Sequence, residues 1–370
     1  MPATNRIMKE SQKFERIVTN GLKFGAHVST TGGISNAVTN AYNIGCNSFA
    51  MFLKNPRRWD AAALKPEEIE KFKENCKKYN YDPLKDILPH GQYFINLCNP
   101  NSEAHEKSYR TFLDDLKRCE SLGIGNYNLH PGSVLKGGDH EKGLKQLASY
   151  INKVHKETEF VKIVLENMAS DNVVGCKLED LRDVIEMIED KSRVGVCIDT
   201  CHSFAAGYDL RTEESCKEFW GHFDEVIGYK YLSGIHLNDS KGPLLSNRDL
   251  HQNLGLGFLG LEAFRIFANN KLDAFKNIPI ILETPYNTGV GDEHYGEEIK
   301  LLEWLNGKTN DDEEFKEKEQ NFSNKGSQER SEQSKKFEKK QVKRAADKEK
   351  AAKGTKRAKK GGIDSFLKKN

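Results

Sequence analysis

The sequence predicts an α/β fold: a (β/α)8 TIM barrel followed by a disordered basic C-terminal tail. Three observations carry this reading. Eight short apolar runs recur between residue 24 and about residue 306, with helical stretches between them. Most runs are near-continuously apolar rather than alternating, as expected of strands covered on both faces. No G-x-G-x-x-G turn follows the first run, where the rival doubly wound open sheet would place a phosphate loop. Roughly 250 residues is ordinary for one such barrel, so the body reads as one domain over 23–307.

In chain order the runs are FGAHV (24–28), SFAMFL (48–53), DILPH (86–90), YNLH (127–130), VKIVLEN (161–167), VGVCID (194–199), YLSGIH (231–236) and IPIILE (278–283). The stretch 66–80 predicts a helix, because Pro66 suits the first helical position and Glu67 and Glu68 suit the positive end of the dipole. Residues 106–123 predict a second helix, ended by Gly123. In 178–191 apolar residues stand at 178, 181, 184, 185 and 188, the helical period. A shorter helix is expected over 259–269, and 296–307 closes the body.

Residues 1–22 read as a polar leader. It has no apolar signal-peptide core, and Glu10 and Glu15 interrupt a transit-peptide pattern. Past Lys308 the apolar periodicity fades into a lysine-rich, low-complexity tail with almost nothing to bury. Its clusters KKFEKK (335–340), KR (343–344) and KRAKK (356–360) resemble a nuclear-import signal; a solubilising tail is the plainer alternative.

The net charge of +2 conceals an asymmetry. Residues 308–370 carry 20 Lys and Arg against 12 Asp and Glu, a net of +8, and the rest nets −6. The basic end suits a polyanion or an import receptor. Nothing approaches the run of about 18 apolar residues that a membrane helix needs, so no membrane partner is expected. Eight cysteines without a Cys-x-x-Cys pair read as thiols of a reducing compartment. Cys197, inside an apolar run, reads as core filler.

Metal-competent residues fall at strand ends. His90, His130, Glu166, Asp199, His236 and Glu283 end or nearly end the third to eighth runs. In a barrel such positions converge at the C-terminal mouth, where active sites are built. Several carboxylates gathered there are costly without cations. IDTCH adds His202 three residues after Asp199, and RDLH adds Asp249 and His251. Five imidazoles and four carboxylates suit zinc, with manganese or iron as alternatives, and nine ligands fit two or three ions. Multi-metal sites stabilise in-line displacement at phosphorus. On spacing alone a metal-dependent phosphoester hydrolase leads, and a metal-dependent sugar isomerase or epimerase stays open.

The chain resembles the endonuclease IV family of zinc-dependent apurinic/apyrimidinic endonucleases, in particular fungal members with a basic C-terminal extension. The resemblance rests on GAHVSTTGG (25–33), FLKNPRRW (52–59), LPHGQYFINL (88–97), NLHPGS (128–133), VLENMA (164–169), GVCIDTCHSFAAGYDLR (195–211), HLNDSK (236–241), NRDLHQNLGLG (247–257) and ILETP (281–285). It implies three Zn2+ per chain, with Mn2+ as a partial substitute. His90 and His130 would bind one ion, with Glu166 bridging to a second. Asp199, His236 and Glu283 would complete the second site, and His202, Asp249 and His251 would form the third. It also implies hydrolysis 5′ to an abasic site, leaving a 3′-hydroxyl and a 5′-deoxyribose phosphate, and removal of blocked 3′ ends. Glu166 is the expected catalytic residue.

The resemblance assigns DNA contacts as well. Arg57 is expected to fill the gap left by the missing base, Tyr93 to wedge into the stack and Phe94 to support it, against kinked DNA with a flipped nucleotide. Trp59 reads more simply as a loop anchor. His27 ends the first run, yet the family does not use it as a ligand; Ser29, Asn167 and Asn238 are expected to support the site or touch phosphate. The expected partners are damaged duplex DNA and an import receptor, the expected state is a monomer, and the expected location is the nucleus, with the mitochondrion left open.

Overall fold

The computed structural model describes residues 13–170, 173–286 and 291–366, with side chains up to 344. The strands are β1 (Lys23–His27), β2 (Ser48–Ala50), β3 (Asn126–Leu129), β4 (Lys162–Glu166), β5 (Val194–Asp199), β6 (Leu232–His236), β7 (Asp239–Ser240), β8 (His251–Gln252) and β9 (Pro279–Leu282). The helices are α1 (Asn36–Asn43), α2 (Pro66–Lys78), α3 (Ser102–Leu122), α4 (His140–Glu157), α5 (Leu178–Glu186), α6 (Thr200–Ala206), α7 (Glu213–Val226), α8 (Gly260–Ala268), α9 (Glu293–Leu305) and α10 (Glu313–Phe366).

Seven strands form one parallel sheet in the order β2-β1-β9-β6-β5-β4-β3. The expected strand at 86–90 closes the ring through bridges alone: Phe49 with Ile87, Phe52 with His90, and His90 with Asn128. Pro89 is the reason. Toward β2 the amides of Leu88 and His90 reach Phe49 and Met51, at 3.0 Å each. Toward β3 the proline has no N–H, so contact is left to its carbonyl and to the amide of Gly91. The closed-barrel reading holds, with one strand pared down.

Local chemistry sets the helix ends. Asn101 caps α3 by accepting the Ala104 amide at 2.9 Å, and Gly123 follows it in the left-handed region at φ 77°. β5 is buried along its whole length, and Cys197 packs with Leu88 and Val164 inside the ring. Among the described residues no helix is long and apolar enough to cross a membrane.

Two segments depart from the sequence reading. Residues 1–12 lie outside the described residues, but the rest of the leader lies on the barrel: the Arg16 guanidinium sits 4.2 Å over the Tyr81 ring, and Asn47 donates to the Ile17 carbonyl at 2.7 Å. The tail differs more. Its expected lack of structure does not describe its first turns, where α10 lies along α8 with Phe315 buried and Phe322 packed against the core. Two phenylalanines seven residues apart share one helix face, and the polar composition around them hid that stripe. A Cβ on Gly326 would sit 1.9 Å from the Leu256 carbonyl oxygen, so only glycine allows this approach. The KRAKK run at 356–360 lies beyond the described side chains.

Candidate metal centre

The centre is built at the C-terminal ends of the strands. Glu166 ends β4, wholly buried. One of its oxygens, Oε2, lies 3.3 Å from His90 Nε2 and 3.4 Å from His130 Nε2. The other, Oε1, lies 3.1 Å from His236 Nδ1 and 3.2 Å from His202 Nδ1. His236 Nδ1 is also 3.3 Å from Glu283 Oε2. A single carboxylate thus touches four imidazoles contributed by different segments.

Asp199 ends β5 and caps α6 by accepting the His202 amide at 2.7 Å. A helix that starts directly after the strand explains the Asp-x-x-His spacing, since one turn returns His202 to the same mouth. Asp249 lies between the two strands of the short β7–β8 ribbon, and His251 opens β8. Two residues apart in extended chain, they face the same side. Asp249 Oδ1 lies 3.2 Å from His202 Nε2 and 3.1 Å from His251 Nε2; Asp199 Oδ2 lies 3.5 Å from His251 Nε2. Ligand-competent atoms of His202, Asp249 and His251 lie within 4.8 Å of one another, as do those of His90, Glu166, His236 and Glu283. All nine side chains picked out by spacing meet here.

Ring orientation tests whether cations fit. The Nδ1 atoms of His90, His202 and His251 face the carbonyls of Gly91, Asn167 and Glu283 at 2.6, 2.9 and 3.1 Å. Each Nδ1 therefore carries the proton, and each Nε2 presents a lone pair. Those Nε2 atoms are buried without a hydrogen-bond partner, as is Glu283 Oε1. Lone pairs facing carboxylate oxygens repel unless positive charge lies between them. The residues fit divalent metal ions.

The same demand shows in proton affinities. Burial opposes charging of His251, yet Asp199 and Asp249 lift its pKa to about 9. Burial also opposes the charging of His202, but Asp199, Asp249 and Glu166 raise it well above the ordinary value. His236 is raised likewise, with Cys197, Glu166 and Glu283 overcoming its burial. Burial pushes Glu166 up, but His236 and His130 hold its carboxyl well below the usual range. Without a cation the cluster collects protons in its place.

Supporting side chains are equally specific. Asn238 Nδ2 donates to Asp199 Oδ2 at 2.7 Å, while its Oδ1 accepts the Glu283 amide at 2.9 Å. Asn167 Oδ1 accepts the Asp199 amide at 2.7 Å. His27 stays outside the ligand groups; burial lowers its pKa to about 4, so it is neutral, and it packs 4.6 Å from Phe52. Ser29 is turned to Thr31 instead, at 2.9 Å.

Two residues escaped the sequence reading. Asn128 donates to Glu166 Oε2, and its place two residues before His130 on a strand was the available signal. Cys201 groups with Asp199 and His251, and burial pushes its thiol up to about 12.

The expected DNA contacts stand at the rim. Tyr93 is 61% exposed and stacks edge-on to Phe52 and His90. Phe94 packs 4.1 Å from Trp59, tying the two loops together. Arg57 is exposed on a turn whose amide is held by Asn55 Oδ1 at 2.9 Å. The loop's root is Lys54, buried between Asp114 at 2.6 Å and Asp115 at 3.1 Å.

A family model described as a xylose isomerase-like TIM barrel matches residues 38–305. The chain is 63% identical over 303 residues to apurinic-apyrimidinic endonuclease 1 of Saccharomyces cerevisiae, covering 82% of this chain and 81% of that one. It is 45% identical over 304 residues to the Schizosaccharomyces pombe protein of the same name, covering 82% of this chain and 87% of that protein. Among solved structures, endonuclease IV from Thermus thermophilus superposes with a TM-score of 0.66 at 30% identity, over 76% of this chain and 98% of that one. With the barrel, the nine converging candidate ligands and these relatives in agreement, the chain belongs to the fungal branch of the endonuclease IV family.

Proposed function

We propose that the protein is a metal-dependent DNA-repair endonuclease. It hydrolyses the phosphodiester 5′ to an abasic site, leaving a 3′-hydroxyl and a 5′-deoxyribose phosphate, and clears blocked 3′ ends. The observation that carries this is the cluster around Glu166, whose unpartnered imidazole lone pairs face carboxylate oxygens at the barrel mouth.

Mixed nitrogen and oxygen donors favour zinc, with manganese as a partial substitute. His90, His130 and Glu166 would hold a first ion; Glu166, Asp199, His236 and Glu283 a second; His202, Asp249 and His251 a third. Bound there, the ions supply Lewis-acid stabilisation of negative charge on the phosphoryl and leaving oxygens and lower the pKa of water.

The chain's own groups do the positioning. Glu166 is the central catalytic residue, and its depressed pKa makes it an orienting carboxylate rather than a strong proton acceptor. Tyr93 and Arg57 would hold the kinked duplex around the extruded nucleotide, with Phe94 braced on Trp59 behind them. The neutral His27 adds no further charge beside the phosphate.

The basic clusters would engage an import receptor and direct a monomeric protein to the nucleus, with a mitochondrial pool as a second destination.

The test pairs elemental analysis of purified protein with cleavage of a duplex carrying one abasic site, before and after chelation. About three metals per chain and chelator-sensitive incision are expected. One or two metals with activity only on a sugar would favour the isomerase alternative. Trapping of a Schiff base by borohydride would instead point to a lysine lyase.

A further inference from the structure

We propose that the basic stretch of α10 is a DNA-backbone arm that reaches over the barrel mouth and grips phosphates of the duplex flanking the lesion. This rests on the reading of the mouth as a DNA site.

The arm has a fixed root. Phe315 is buried beside Arg265, near the far end of α8, and Phe322 packs against the core. Arg330 donates to the Leu256 carbonyl at 2.9 Å. Gln252 donates to Glu329, which also lies 3.5 Å from Lys241. Gln252 follows His251 in the ribbon at the mouth. The helix therefore runs from the far end of the barrel toward the catalytic end, and its next turns pass beyond it.

Charge changes sign at that exit. Residues 308–334 carry 5 basic and 8 acidic side chains, whereas 335–344 carry 6 basic and 1 acidic. The six are Lys335, Lys336, Lys339, Lys340, Lys343 and Arg344, all exposed. Wound at about 100° per residue, they occupy one half of the helix circumference, and Phe337, Glu338, Gln341 and Val342 take the other. The same winding puts Phe315, Phe322, Gly326, Glu329 and Arg330, the barrel-facing residues, in a sector of roughly 100°, of which about 60° lies inside the basic half. So the face that packs on the barrel continues, past the mouth, as the basic face. A run needed only for charge or for an import receptor has no reason to keep that phase. Ten residues of helix reach about 15 Å, and a body with net negative charge leaves flanking phosphates otherwise poorly held.

The test uses the full chain with Lys336→Ala, Lys340→Ala and Lys343→Ala combined; alanine preserves the helix. Binding to undamaged duplexes of 12 and 40 base pairs is followed by fluorescence anisotropy across a salt series. On the long duplex the triple variant should bind roughly tenfold more weakly at low salt. Its log–log salt slope should shrink by about 2 to 3, at about 0.9 per phosphate contact. The short duplex should be bound as before, and single-turnover incision at saturating enzyme should be unchanged. A chain ended after residue 333, which loses all six basic side chains, should lose at least as much affinity and slope as the triple variant. Equal affinities and slopes for wild type and both variants on the long duplex would overturn the proposal and leave the lysines to import. Absence of incision by the wild type would instead sink the endonuclease reading, so the two failures are distinguishable.

Discussion

Asn128 donates through Nδ2 to Oε2 of Glu166 at 2.5 Å, and neither side chain reaches solvent. The amide fixes the roll of the carboxylate, so that one oxygen faces His90 and His130 and the other faces His202 and His236. Groups that orient metal ligands typically matter by 10- to 100-fold. Asn128→Ala should lower kcat for abasic-site incision by about that factor and reduce bound metal. Unchanged kcat and metal content would show that the roll is set elsewhere.

Tyr93 is the exposed aromatic on the rim. Stacking on a base is worth about 1–3 kcal/mol. Tyr93→Ala should raise KM for an abasic duplex accordingly while leaving metal content as in the wild type. A loss of metal in this variant would mean that Tyr93 supports His90 rather than the DNA.

The metal-free chain should show a distinctive pH response. Its His251 has a folded pKa lifted from 6.5 to about 9, against burial, by Asp199 and Asp249. A raised folded pKa contributes stability that is complete below the unfolded value and is lost as pH climbs through the folded one. Tm of the stripped protein should therefore fall between about pH 6.5 and 9. Metal binding over that window should release protons, readable as buffer-dependent heats in calorimetry. A stripped protein whose Tm is flat or rises across the window would contradict the assignment.

Gly326 lies where α10 crosses Leu256. Its replacement by valine must displace the helix, because the nearest atom is backbone rather than a movable side-chain end. Overpacking of this kind costs roughly 1–3 kcal/mol. Gly326→Val should lower Tm and expose the 313–344 helix to limited proteolysis at unchanged secondary structure of the barrel. Ending the chain at 308 should do worse, because the partners of Phe315 and Phe322 would face water.

Much of this architecture was legible beforehand. Strand-end position together with residue type was enough to collect six of the nine candidate ligands, because a barrel turns separate strand ends into one place; His202, Asp249 and His251 came from the local IDTCH and RDLH spacings. Pro89 was visible too, but its effect on pairing depends on which neighbour its missing N–H would face. The ribbon of β7 and β8 was not legible, since two-residue strands have no periodicity. Nothing in the sequence around Lys54 marks it as buried, and only the placement of Asp114 and Asp115 shows why it is. The root of α10 was missed because two phenylalanines in a lysine- and glutamate-rich segment give too faint a stripe to outweigh composition.

The carbonyls of Gly91, Asn167 and Glu283 each hold one imidazole by its far nitrogen. Those carbonyls belong to the scaffold and stay put whatever occupies the centre. The rings therefore keep their bearing when a metal leaves, and refilling demands no rotation. The centre has the form of a mould rather than a fold-on-binding clasp, so an ion would enter it without the rings turning.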